Sequence, residues 1–225
     1  MPLPISGVGH AIQEDNVSVE FNIPPADSAK VFVAHLNFVL AHLEAKVATM
    51  NLKFAPVAAA SFPEDQLQSE AAQVFGCEPD WNAWTGETNP RPFSMDMNLR
   101  SCGGHVHVGT NLDKIAVVRA MDLHLGVPSV RLDTDKLRRE LYGKAGAHRP
   151  KAYGVEYRSL SNFWLWSDAL KNWVYNQTQK ALEFVEAGKE IDKQHGELIQ
   201  RAINTGDMEA GYYLEKHFFG GLVNA

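Results

Sequence analysis

The sequence predicts an α+β fold, an antiparallel sheet with one polar, concave face and helices packed on the other. Three observations predict it. Val17, Val19, Phe21 and Ile23 alternate with Ser18, Glu20 and Asn22 at the two-residue period of a half-buried strand. His105-Val-His107 and Glu156-Tyr-Arg158 repeat that alternation far along the chain. Between and after them run apolar stripes at helical spacing, of which Leu36, Val39, Leu40, Leu43 and Val47 form the clearest.

Taken in order, Gly9 to Ile23 reads as one strand whose polar face carries Glu14, Asn16 and Glu20. Asp27 or Ser28 caps a helix running to about Met50. A short extended piece from Leu52 to Val57 and a polar helix from about Glu64 to Val74 follow. The segment from Gly76 to Pro92 is rich in turn formers yet holds Trp81 and Trp84, which reads as an ordered loop. Leu99 to Gly109 is a second strand, and Asn111 caps a helix over Leu112 to Leu125. A helix covers Leu132 to Leu141, and a basic, glycine-containing loop spans Gly143 to Lys151. The third strand runs from Tyr153 to about Leu160. The remainder, roughly Trp164 to Ala187, Lys189 to Asn204 and Met208 to His217, is the helical C-terminal part of the same single domain, 1–225.

Composition narrows the function classes. Hydrophobic residues make up 45% and charged residues 21% of the 225, so a packed core is expected and disorder is not. The formal charge of −6 comes with no long basic run, which argues against nucleic acid as a partner. The start lacks a signal-peptide pattern and no apolar stretch reads as membrane-spanning. With only Cys77 and Cys102, a disulfide scaffold is excluded, and a cytoplasmic setting fits best.

Several polar groupings can carry chemistry. His105 and His107 point to one side of their strand about 7 Å apart, with Gly103 and Gly104 removing side chains before them so that a nucleotide can approach. A solvated polar face would give the same pattern. Glu156 and Arg158 share a face in the same way, as catalytic groups or as a surface ion pair. Glu14 and Glu20 supply carboxylates of the hard-oxygen kind that magnesium prefers. The basic stretch Arg138-Arg-Glu-Leu-Tyr-Gly-Lys-Ala-Gly-Ala-His-Arg149 offers guanidinium groups and glycines for phosphate oxygens, without the Ser or Thr after Gly143-Lys144 that a P-loop needs.

Five segments in this order, Gln13-Glu-Asp-Asn-Val-Ser-Val-Glu-Phe-Asn22, Gly76-Cys-Glu-Pro-Asp-Trp-Asn-Ala-Trp84, Cys102-Gly-Gly-His-Val-His-Val-Gly109, Arg139-Glu-Leu-Tyr-Gly-Lys-Ala-Gly146 and Gly154-Val-Glu-Tyr-Arg-Ser-Leu-Ser-Asn-Phe-Trp164, resemble the phage-encoded carboxylate-amine ligases of the amidoligase group. The resemblance spans about Pro2 to Trp164 and leaves the helical tail uncovered. That group is similar to glutamine synthetase and glutamate-cysteine ligase, whose curved antiparallel half-barrel holds ATP and divalent metals. The group's usual first strand, with an acidic Asp-Pro-Glu motif, is not found ahead of Gln13, which puts one metal site in doubt.

The resemblance implies ATP-dependent joining of a small-molecule or peptide carboxylate to an amine through an acyl phosphate. ATP and magnesium, with manganese as an alternative to magnesium, are the implied cofactors. It implies Glu14, Glu20, His105 and Glu156 as metal or phosphate ligands, with His107, Gly103 and Gly104 beside the nucleotide. Arg158, Arg139, Lys144 and Arg149 are the implied catalytic cations, and Asp80 and Asn82 hold substrate. A host cytoplasm and, through an unpaired strand edge, a homo-oligomer are the corresponding setting and assembly. A metal-dependent hydrolase built on the His-x-His strand and a non-catalytic paralogue are the two rival readings.

Overall fold

The computed structural model describes residues 2–15, 17–69, 72, 79–90 and 96–224, with the Glu140 side chain left out. The reading of Gly76 to Glu78 as loop and part of the expected helix from Glu64 to Val74 fall outside those residues. What is described there is a short 3-10 turn, Glu64–Gln66.

Three antiparallel sheets, without a closed barrel among the described residues, replace the single sheet that the sequence suggested. β1 (Leu3–Pro4), β2 (Ala11–Asp15) and β3 (Ser18–Asn22) form the first, β4 (Ala59–Ser61) and β6 (Leu99–Ser101) the second. The third joins β5 (Trp81–Asn82), β8 (Ala147–Lys151), β9 (Gly154–Tyr157) and β7 (Val106–Gly109), in that spatial order.

Two long strands of the sequence reading are therefore divided. Gly9 to Ile23 is a tight hairpin, with Asp15 facing Ser18 and Ile12 facing Phe21 across the ladder. Asp15 at the end of β2 suits such a reversal, because an aspartate side chain readily bonds back to nearby backbone. Leu99 to Gly109 breaks at Gly103 and Gly104, so β6 and β7 belong to different sheets. The expected basic loop is in part β8, which pairs Arg149 with Glu156 and His148 with Tyr157.

Helices cover one face of the four-stranded sheet, as expected. Ser28 caps α1 (Ala29–Ala48) by accepting from the Val31 amide, and Asp113 rather than Asn111 caps α2 (Lys114–Met121). The helix then runs through a π-helical turn, Asp122–Gly126, into α3 (Val127–Leu132), and α4 is the short piece Leu137–Leu141. After a 3-10 turn at Asn162–Trp166 come α5 (Asp168–Glu186), α6 (Lys193–Thr205) and α7 (Met208–Phe219). Val106, Val108, Val155 and Tyr157 of the sheet are buried against Val117, Val118 and Met121 of α2 and Trp173 and Val174 of α5. A second core packs Leu123 and Val127 against Ile199, Ile203 and Leu214 of α6 and α7. By length and composition α1 could cross a membrane, which the sequence reading did not anticipate; its Leu36, Val39 and Leu43 instead pack inward.

Candidate active site

Directly paired residues of an antiparallel ladder share a face, so the register fixes which side chains meet. His107 pairs with Glu156, and Glu156 pairs with Arg149, which places the three in one row across β7, β9 and β8. This row lies on the face opposite Val106, Val155 and Tyr157, whose apolar side chains are taken by the helical layer. One strand thus serves core and site at once, through its two-residue period.

Arg158 is the hub of the polar face. Its Nε donates to Asp80 Oδ2 at 3.2 Å, and its Nη1 donates to Glu156 Oε1 and lies 3.2 Å from His105 Nδ1. Lys151 Nζ reaches Glu156 Oε2 at 2.8 Å, and His105 Nδ1 is 3.3 Å from Glu156 Oε1. Burial of Glu156 opposes its charge, but the His105, Lys151 and Arg158 contacts win and hold its carboxyl far below the ordinary range. Asp80 also accepts from Asn89 Nδ2 at 2.8 Å, so the turn carrying it is tied both to itself and to Arg158.

Both histidines are held neutral. Burial, assisted by the neighbouring Arg158 and Arg138 charges, pulls His105 down to about 4 against the Glu156 contact. Loss of solvent and the charges of Lys151 and Arg158 lower His107, against Glu156 and Glu20. His107 Nδ1 lies 2.5 Å from the Tyr153 hydroxyl.

The carboxylate hairpin contributes one residue, not two. Gln13 faces Glu20 and Glu14 faces Val19, so Glu14 and Glu20 occupy opposite faces of β2–β3. Their even spacing along the chain is cancelled by the turn between them. Glu20 is near enough for its charge to act on His107, and Ser18 on the same face accepts from the Cys102 thiol at 3.7 Å. Glu14 points to the other side and does not converge with His105, Glu156 and Arg158.

The expected phosphate cations also separate. Arg149 stands in the central row, but Arg139 donates to the Ser129 carbonyl at 2.9 Å and pairs with Asp133 at 3.6 Å. It is buried with Tyr157 on the helical side of the sheet, where it anchors α4 to α3. Lys144 Nζ donates to the Arg139 carbonyl at 2.6 Å, a contact suited to a helix C-terminus. Asn82 accepts from the Trp84 amide at 2.8 Å and so shapes the turn that presents Asp80. Gly104 is closed off, because a Cβ there would strike the Ser161 carbonyl and Trp164 Nε1; Gly103 is exposed.

Two residues stand out that the sequence reading gave no role of their own, Arg138 having been named only within the basic stretch. Asp122, in the π-helical turn, is wholly buried and accepts from Trp84 Nε1 (2.7 Å), the Gly146 amide (2.6 Å), Tyr157 Oη (2.8 Å) and Ser159 Oγ (3.3 Å). Burial pushes its carboxyl up to about 7 against those four donors. It braces, from behind, the segments that present Asp80, Arg149, Glu156 and Arg158. Arg138 is the second: buried beside Gly103, it donates to the Ser159 and Arg158 carbonyls at 3.3 and 3.4 Å. A helix-spaced apolar pattern around a carboxylate, and one arginine next to another, leave no signal that separates these roles in a sequence.

Residues 90–220 match the family model described as phage phiEco32-like COOH.NH2 ligase-type 2. The chain belongs to that family. No curated protein and no solved structure matches it. The ligase-type 2 match starts beyond the two N-terminal segments of the resemblance and runs through the helical tail, which the resemblance had left out. Trp84 explains physically why tail and sheet go together: a Cβ on Gly196 of α6 would come within 2.7 Å of its ring, whose N–H holds Asp122. Within the ligase-type 2 region lie His105, His107, Arg149, Glu156 and Arg158, the residues that form the polar face.

Proposed function

We propose that the polar face of the four-stranded sheet activates a carboxylate with ATP and joins it to an amine. The observation that carries this reading is the cluster of cations there, Arg149, Lys151 and Arg158 with Arg138 beside them, around the carboxylates Asp80 and Glu156. A net positive, partly dry surface suits phosphoryl oxygens, which is the charge that develops when a carboxylate takes a phosphoryl group. The three sheets are read as segments of one glutamine-synthetase-like half-barrel, with β2–β3 bringing Glu20 toward His107.

ATP, when bound, would supply the phosphoryl group that turns the carboxylate into an acyl phosphate, with ADP leaving. Arg149, Lys151 and Arg158 then stabilise the charge on the transferring group. The amine nitrogen forms its bond to the acyl carbon as the bond from that carbon to the phosphate oxygen breaks, and inorganic phosphate leaves. His107, exposed and with its pKa lowered, accepts the proton that the amine gives up. Among the described residues no three His, Cys, Asp or Glu side chains gather at metal-ligand reach, and Glu156 is engaged by cations on both oxygens. They do not make a protein-built magnesium site, so the ion has no assigned step. The reading implies a host cytoplasm, where ATP is supplied.

The test is ADP release across a panel of small carboxylates and peptides, each with and without amines. Release that depends on one carboxylate, with amide product appearing only when amine is present, is the expected result. No carboxylate-dependent release with any pair would refute the reading.

A further inference from the structure

The helical C-terminal part holds a cleft of about 320 Å³, within the roughly 300–1,000 Å³ usual for small-molecule sites. It is lined by Gln177 and Lys180 of α5, by Phe219 at the end of α7 and by residues 220–224 beyond it. None of these residues belongs to the polar face of the four-stranded sheet.

The wall beyond α7 is fastened in place. Glu215, buried in α7, accepts from the Val223 amide at 2.6 Å and from Arg131 Nη2 at 3.1 Å. Arg131 Nη2 also donates to the Val223 carbonyl at 2.7 Å. Both backbone polar groups of Val223 are thus satisfied by one ion pair between α3 and α7, which holds the segment after Gly220 at the edge of the cleft. Gly220, at φ +74°, turns the chain out of α7, and a Cβ on Gly221 would meet no atom within 4 Å, so space is open there.

The α5 wall carries polar groups that await partners. Gln177 and Lys180 are three residues apart on one helix, which sets their side chains next to each other. Among the described residues no carboxylate lines the cleft, and none forms an ion pair with Lys180. Gln177 is buried and lies close enough to act on His124, yet neither ring nitrogen of that buried histidine has a hydrogen-bond partner. Phe219 packs on the same ring, with centroids 4.8 Å apart. Two of the lining residues therefore bear directly on His124, and the cation nearest the cleft is unopposed.

We infer that this cleft binds a small carboxylate with an apolar body. One carboxylate oxygen takes the Lys180 ammonium and the other the Gln177 amide N–H, an arrangement in which charge strengthens both hydrogen bonds. The body lies against Phe219, Leu222 and Val223, of which Leu222 is 50% exposed in the empty cleft. A bare inorganic anion would leave that wall in water, which is why an apolar body belongs to the assignment. Occupancy of the cleft does not depend on the ligase reading, because the two sites share no residue.

The test follows the ring C–H NMR signals of His124 and the side-chain amide signal of Gln177 at pH 7 while the full chain is titrated with phenylacetate, phenylacetamide or acetate. Phenylacetate should shift both signals saturably. Phenylacetamide, which lacks the charge, and acetate, which lacks the apolar body, should each bind about tenfold more weakly or worse. Lys180→Gln should abolish the preference for phenylacetate over phenylacetamide, and Gln177→Leu should weaken phenylacetate by about tenfold or more. Should the buried Gln177→Leu fail to fold, Lys180→Gln decides, because Lys180 is exposed. Absence of saturable shifts at His124 and Gln177, equal binding of phenylacetate and phenylacetamide, or an unchanged preference in Lys180→Gln would overturn the site. Saturable shifts confined to His105 and His107 would overturn it too, by placing the carboxylate on the polar face instead.

Discussion

At the scale of single residues, Arg158 shows why identity matters more than charge. Its planar fork reaches Asp80 through Nε and Glu156 and His105 through Nη1. A lysine could keep one of these contacts but not all three, since an ammonium is a point charge on a flexible stem. Arg158→Lys should therefore lower carboxylate-dependent ADP release by about 100-fold or more, the loss seen when a transition-state donor is removed. The fold should persist, read as an unchanged circular dichroism spectrum. Turnover equal to the parent chain would remove Arg158 from the catalytic set. The neighbours Arg138 and Arg139 carry the complementary lesson. A short helix turns them by about 100° relative to each other, and the sequence offered no ground for choosing the one that faces the site. The resemblance favoured Arg139, and packing put Arg138 beside Gly103.

At the scale of elements, the alternation of His105-Val-His107 and Glu156-Tyr-Arg158 was legible because period two depends only on local backbone geometry. The helices were legible for the same reason, through stripes such as Leu36, Val39 and Leu43 and through the Ser28 cap. What was not legible depended on reversal and pairing. A hairpin turn after Asp15 inverts the parity of Glu14 against Glu20, and a glycine pair ends β6 before β7 begins. The π-helical turn was equally hidden, although it fixes the site from behind. Trp84→Phe tests that brace, since it keeps a ring against Gly196 and deletes the N–H that bonds Asp122 Oδ2 at 2.7 Å. Loss of a hydrogen bond to a buried carboxylate should cost about 1–3 kcal/mol. It should appear as a lower urea midpoint with an unchanged slope. A midpoint equal to that of the parent chain would mean that Asp122 does not depend on the indole.

At the scale of the whole molecule, buried ionisable groups couple stability to pH, and their signs can be worked out. His105 and His124 are both pulled from 6.5 to about 4, chiefly by burial. Unfolding releases these rings to take up protons below 6.5, so each adds stability above that value that is lost as the pH falls toward 4. Glu156, held below its ordinary value by His105, Lys151 and Arg158, adds a loss of the same sign below about 4.5. Asp122 works the other way. Raised by burial from 3.8 to about 7, it gives stability that is complete at low pH and is lost as the pH rises through that interval. Between pH 4 and 6.5 His105 and His124 therefore oppose one carboxyl, and the lowering of His10 and His107 acts in the same direction as theirs. Each contributes about 1.4 kcal/mol per pH unit at full difference, so the net rise in stability is of the same size per unit. Above 6.5 the histidine contributions are complete while Asp122 is still ionising, which places the maximum near pH 6.5. Urea denaturation at half-unit steps from pH 4 to 8 should show that rise and a shallow decline beyond it. His124→Phe, which keeps a ring between Phe184 and Phe219, should flatten the acid limb, leaving His105 and Asp122 nearly balanced. A stability that stays constant or falls from pH 4 to 6.5 in the parent chain would show that the imidazoles take up protons inside the fold, and with it that His105 does not stand neutral beside Arg138 and Arg158.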